Sequence, residues 1–112
     1  MGQTMTEKIL SRASGRAVTP GETIYPDPDL VTVHDHYTVN FDKALQELGV
    51  TRLFDASKVL ICTDHEPVVS NLNGAIRQKA VRQIVAKYGI QHFFDAGRGG
   101  HGHIFPMEMG YI

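Results

Sequence analysis

The sequence predicts an α/β fold with parallel strands, and three observations predict it. Leu30-Val31-Thr32-Val33-His34, Val59 to Thr63 and Ile90 to Asp95 are short β-branched or apolar runs bounded by turn signals, as buried strands are. Between the second and third runs, Ser70 to Tyr88 carries apolar residues at helical spacing. Strand, helix and strand at this spacing form a βαβ unit, whose crossover is right-handed and whose strands are parallel. Parallel strands put their carboxyl ends on one edge, where open α/β sheets place their chemistry.

The N-terminal segment reads as a short helix. Thr4-Met5-Thr6-Glu7 matches a capping box, Ile9, Leu10 and Ala13 form an apolar stripe, and Gly15 ends it. Arg16 to Pro28 contains Pro20-Gly21, Pro26 and Pro28, so it is a surface connection with room for one short strand around Thr23 to Tyr25. After the first strand comes His34-Asp35-His36. Asn40 then reads as an N-cap for a helix bearing Phe41, Ala44, Leu45 and Leu48, with Gly49 just past its end. Thr51 to Ser57 is a linker. In the long helix Leu72, Ile76, Ala80, Ile84 and Tyr88 recur every four residues and predict its buried stripe, widened by Val81 and Val85, with Gly89 as the cap. Ile104 to Ile112 looks like the start of another helix.

Composition narrows the function classes. A chain of 112 residues is expected to form a single domain, residues 1–112, burying about two-thirds of its unfolded surface. A formal net charge of -1 leaves no electrostatic footprint for nucleic acid or an anionic membrane. No apolar stretch is long enough to span a bilayer, and the N-terminus lacks signal-peptide character, so a cytoplasmic setting is expected. The lone Cys62 rules out an internal disulfide and an all-cysteine cluster made by this chain alone. Six histidines, at 34, 36, 65, 92, 101 and 103, are the distinctive feature.

The second strand ends in Asp64-His65-Glu66-Pro67, where a carboxylate beside an imidazole has the makings of a general acid. The plainer reading is a helix-capping Asp beside a surface His. One helix later, Gly97-Arg98-Gly99-Gly100-His101-Gly102-His103 holds the same relation to the third strand. Its glycines let the backbone approach a ligand, and Arg98 has the fork geometry to clamp a carboxylate. The letters of a dinucleotide fingerprint occur there without the helix or later acidic residue it needs. His34-x-His36 and His101-x-His103 are spaced to point both rings one way on an extended chain, offering mononuclear metal ligands together with Asp35, Asp64 or His65. Cys62 and His92 read as structural strand residues.

These residues resemble a known family. Met1 to Leu10, Gly15-Arg16, Val18, Pro20-Gly21-Glu22, His34-Asp35, Asp64-His65 and the loop from Gly97 to His103 resemble the beginning of aconitase-family large subunits. Within that family the match is to those of 3-isopropylmalate dehydratase and homoaconitase. The resemblance implies a three-layer α/β/α unit with a partly parallel sheet, forming the N-terminal segment of a larger subunit. It also implies a hydro-lyase of leucine biosynthesis that isomerises a hydroxy-di- or tricarboxylic acid by dehydration and rehydration on a [4Fe-4S] cluster. By the same resemblance Asp64, His65 and His103 are expected to be catalytic, and Asp35, Arg98 and His101 to bind substrate. The rest of the large subunit and a small subunit are the implied partners. The loop departs from the family by one apparent extra residue, which leaves His103 and His101 in competition. The cluster's cysteines have no counterpart in these 112 residues, so the isolated chain is expected to be inactive and to ligate no metal. Two alternatives of other classes are a free-standing metal enzyme using the His-x-His pairs and a non-catalytic assembly module.

Overall fold

The computed structural model describes residues 2–112; Met1 of the opening motif lies outside the described residues. Three parallel strands form the sheet, β1 (Val31–His34), β2 (Val59–Cys62) and β3 (His92–Phe94), in the order β1-β2-β3. Helix α1 (Met5–Ser14) precedes them, α2 (Asp35–Glu47) joins β1 to β2, and α3 (Leu72–Tyr88) joins β2 to β3. A 3₁₀ turn, Ala56–Lys58, leads into β2, and a short helix, α4 (Phe105–Glu108), follows β3. The α/β class and the parallel sheet are therefore present.

Register explains the layers. Val33, Ile61 and Phe93 lie side by side in the ladder and join Val59, Val81, Ile84, Tyr88 and Ile90 in the apolar core, with Leu45 packed against it. This face of the sheet is covered by α2 and α3, which pack on each other. Alternation sends His34, Cys62 and Phe94 to the opposite face. There Phe94 meets Phe105 of α4 edge-on at 4.6 Å, and the glycine loop lies over Cys62 and Phe94. The second cover is thus a loop and one helical turn rather than a full helix.

Local chemistry fixes the helix ends. Thr4 and Glu7 form the expected capping box, and Gly15 closes α1 at φ 66°. Asn71 caps α3 by accepting from the Gly74 N–H, and Gly89 ends it at φ 65°. No described helix is long and apolar enough to cross a membrane.

Four expectations are corrected. Helix α2 begins at Asp35, directly after the strand, so Asn40 lies inside it and caps nothing. Asp35 and His36 are therefore helical, and His34-x-His36 is not an extended pair. The reason lies in Asp35, whose carboxylate is an anchor for another loop and fixes the helix start. The buried face of α3 follows the expected stripe at Val81, Ile84 and Tyr88 but departs from it in the first half of the helix. Leu72 and Ile76 are 76% and 58% exposed, whereas Gly74, Gln78, Val81, Ile84 and Tyr88 are buried. Polar demands set this face: the Gln78 amide donates to the Glu66 carbonyl at 2.9 Å, and a Cβ at Gly74 would lie 2.5 Å from Glu66 Oε1. Finally, Thr23 to Tyr25 form no strand.

Candidate functional site

The site is built where the three strands end. β1 delivers His34 and, through the immediate start of α2, Asp35; β2 delivers Asp64 and His65 two and three residues past Cys62. The loop after β3 comes back over the β2 end. Its Gly102 N–H donates to Asp64 Oδ2 at 2.8 Å, so the two adjacent strand ends do meet. Asp64 is not a helix cap, since Asn71 serves α3.

Each carboxylate oxygen has its own partner. Asp64 Oδ1 lies 2.5 Å from His65 Nδ1, and Asp64 Oδ2 takes the Gly102 N–H. Asp35, 1% exposed, accepts the backbone N–H of His65 on Oδ1 at 3.3 Å and that of Glu66 on Oδ2 at 3.0 Å. Asp35 is thus spent on holding the β2–α3 loop. Because Asp64 occupies Nδ1, the Nε2 edge of His65 is left for a ligand, and the side chain is 43% exposed.

Electrostatics separate the groups. The hydrogen bond that His65 donates to Asp64, reinforced by the charges of Asp64 and Asp35, raises the His65 pKa above its ordinary value. Burial opposes ionisation of Asp64, but the His65 hydrogen bond and the Gly102 N–H outweigh it and hold its carboxyl below the ordinary range. His34 moves the other way: burial, then the neighbouring positive His65, lower its pKa. The arrangement therefore favours a cationic His65 beside a neutral His34. A group that holds a proton on an exposed edge, with its counter-ion behind it, is equipped as a general acid.

The other expected residues are placed more loosely. His103 lines a small hollow of about 90 Å³ together with Thr32, Val33, His34, Cys62, Asp64 and Gly102. His101 Nδ1 accepts the His103 N–H at 3.3 Å, and the two rings are 5.1 Å apart. His101 is otherwise occupied in capping, its carbonyl accepting from Ile104 and Phe105. Arg98 is exposed and only its backbone is engaged, donating to the Asp95 carbonyl at 2.9 Å. A larger apolar hollow of about 300 Å³ opens at the amino ends of β1 and β2, lined by Val31, Phe41, Leu53 and Phe54, on the edge away from this chemistry.

Two residues contribute in ways that the sequence did not indicate: His34, read there as a metal-ligand candidate, and Gly102, read there as one of the loop's glycines. His34 is the last strand residue before Asp35, and its ring stacks on His65 at 4.0 Å. Gly102 carries one signal, its place in a glycine run: a Cβ there would sit 2.8 Å from Asp64 Oδ2 and 3.2 Å from Cys62 Sγ.

Among the described residues the cluster with metal-ligand character is His34, Asp35, Asp64 and His65, whose donor atoms lie within 4.8 Å of one another. It does not include His36, His101 or His103. Each of its four carboxylate oxygens accepts an N–H group.

Fold and site together define a parallel α/β unit with a hydrogen-bonded carboxylate–imidazole pair at its meeting strand ends. Comparison with known proteins makes the class specific. The chain is 37% identical over 112 residues to the 3-isopropylmalate dehydratase large subunit 1 of Methanopyrus kandleri. It is 36% identical over 112 residues to the large subunit of Caldanaerobacter subterraneus and 42% identical over 114 residues to that of Herpetosiphon aurantiacus. Each match takes in the whole of this chain and 27% of the relative. No protein-family model matches. Over its whole length the chain is similar to 3-isopropylmalate dehydratase large subunits, and it spans about a quarter of the length of the curated relatives it matches.

Proposed function

We propose that this chain, as a single α/β domain forming an N-terminal segment, supplies the acid–base half of a 3-isopropylmalate dehydratase-type hydro-lyase. The carrying observation is the Asp64–His65 pair, clamped by Gly102 and Asp35 with the His65 Nε2 edge outward. In this reading His65 protonates the departing hydroxyl of a hydroxy-di- or tricarboxylic acid while a base of the rest of the large subunit takes the proton from the adjacent carbon. On rehydration His65 takes a proton from the water that adds to the other carbon, and that base returns its proton to the first. Asp64 stabilises the imidazolium and fixes its tautomer. His103, across the small hollow, joins the acid network, while Arg98 and His101 on the open loop reach the substrate carboxylates. Asp35 contributes through the loop it holds. The rest of a large subunit and a small subunit complete the site, in a cytoplasmic setting and in the leucine pathway.

The family's [4Fe-4S] cluster does not fit the residues present here. Cysteine thiolates hold such clusters, and this chain has one cysteine, buried in β2. Burial, with the nearby Asp64 and Asp35 carboxylates, pushes the Cys62 thiol up to about 11. Cys62 is therefore a protonated core residue.

The test is a chimera. This chain replaces the corresponding quarter of the Methanopyrus kandleri large subunit, which is assayed with its small subunit for turnover of isopropylmalate. The expected result is turnover by the chimera, a loss of about 10²- to 10⁴-fold on His65→Asn, and none by the 112-residue chain alone. Full activity in the His65→Asn chimera, or turnover by the chain alone, would overturn the reading.

A further inference from the structure

His65 is held at its Nδ1 atom by one hydrogen bond, and one bond leaves a ring free to swing about the axis through that atom. The acid's usefulness depends on that rotation, because a proton donor must lie within hydrogen-bond reach of its target and small misplacements cost large factors in rate. Something must therefore fix the plane of the ring, and the structure shows what does. The His34 ring lies against the His65 ring at a centroid distance of 4.0 Å and an interplanar angle of 21°. His34 is itself locked. It ends β1 in register with Cys62, and its other flank meets the Tyr37 ring edge-on at 4.6 Å and 85°. Its Nδ1 is buried with no hydrogen-bond partner, so polarity at that atom has no structural use here.

We infer that His34 is a positioning residue for this acid, a rigid aromatic platform that sets the ring plane of His65 and thereby the direction of its Nε2–H. The inference rests on the reading of His65 as the acid. The neutral state of His34 suits the role: a neutral π-face attracts a cationic ring, whereas two cations would repel. The charged and titratable groups that face His65 are Asp64 from the end of β2, Asp35 and His36 from α2, and His34 from β1. Of these only His34 lies flat against the ring. His36 is farther away, at 5.5 Å and 37°, and its Nε2 is engaged with Arg77.

The test follows the His65 imidazole by NMR through a pH titration of the full 112-residue chain, in the parent, His34→Phe and His34→Leu forms. Phenylalanine keeps the flat face and discards both ring nitrogens; leucine fills the volume without a face. The expected result is a His65 midpoint that stays raised in His34→Phe and falls by about half a pH unit in His34→Leu. The fall should come with loss of the fixed cross-relaxation between His65 and its neighbours. An unchanged His65 in a folded His34→Leu chain overturns the inference. So does an equal fall in His34→Phe, which also serves alone if the leucine variant does not fold. No turnover is measured, so a failure here is separate from a failure of the dehydratase reading, which the chimera addresses.

Discussion

The end of β2 and the glycine loop after β3 meet at one site but are held in opposite ways. At the β2 end, Asp35 and Asp64 direct four carboxylate oxygens at named partners, and a stacked ring closes the arrangement. In the loop, Gly102 donates its backbone N–H to the site while the side chains of Arg98, His101 and His103 stay exposed. One region is rigid through polar side chains buried under the sheet edge. The other owes its place to the absence of side chains, because glycine lets it lie against Asp64, Cys62 and Phe94. A site built this way has one half held by side chains and a cover held by its backbone.

The largest effect should come from Asp35. Asp35→Ala strips the acceptors from two N–H groups in a partly buried loop, and destabilisation of about 3 kcal/mol is expected in urea unfolding. His101→Ala and His103→Ala should stay within about 0.5 kcal/mol of the parent. Equal costs in the two regions would erase the distinction. Gly102→Ala comes next. Its methyl group has Asp64 and Cys62 in the way, both packed, so about 1–3 kcal/mol should be lost. His65 should also titrate lower, as Asp64 is pushed from it; the same NMR titration reads this.

The smallest effect is in pH. The pKa of His65 is raised on folding, so its stabilisation is full below the ordinary 6.5 and disappears as pH rises through the folded value. That of Asp64 is lowered, so its contribution is present above the ordinary 3.8 and disappears as pH falls through the folded value. The pair is at full strength between those two pH values. The stability gap between parent and Asp64→Asn should be widest there and narrow as pH rises through the folded value of His65, as unfolding curves at several pH values would show. His34 works in the opposite sense. With its pKa lowered, acid below the ordinary 6.5 destabilises the fold, and His34→Phe should remove that acid limb.

Much of this was legible in the sequence because it rests on local or periodic chemistry. The Thr4–Glu7 box, the glycines ending α1 and α3, and the parallel strands that bring Asp64 to Gly102 all follow from spacing and topology. The misreadings share a cause in long-range polar contacts that override a local signal. Asn40 has the chemistry of a cap, yet Asp35, bonded 30 residues away to His65, starts the helix first. Leu72 and Ile76 have the spacing of a stripe, yet α3 turns Gln78 and Gly74 inward to serve Glu66. Nothing local marks His34 as a stacking partner, because the stack depends on where β2 ends. The whole-chain resemblance drew on residue identities, and the relatives agree with it.

Cys62 gives the glycine cover a chemical probe. Its sulfur lies under Gly102, and with a thiol pKa of about 11 only about one molecule in 10⁴ carries a thiolate at pH 7. A thiol so protected reacts slowly with an alkylating reagent while Gly102 lies over it. The rate of that reaction therefore reports how well the cover is seated, at a residue that takes no part in the acid–base chemistry.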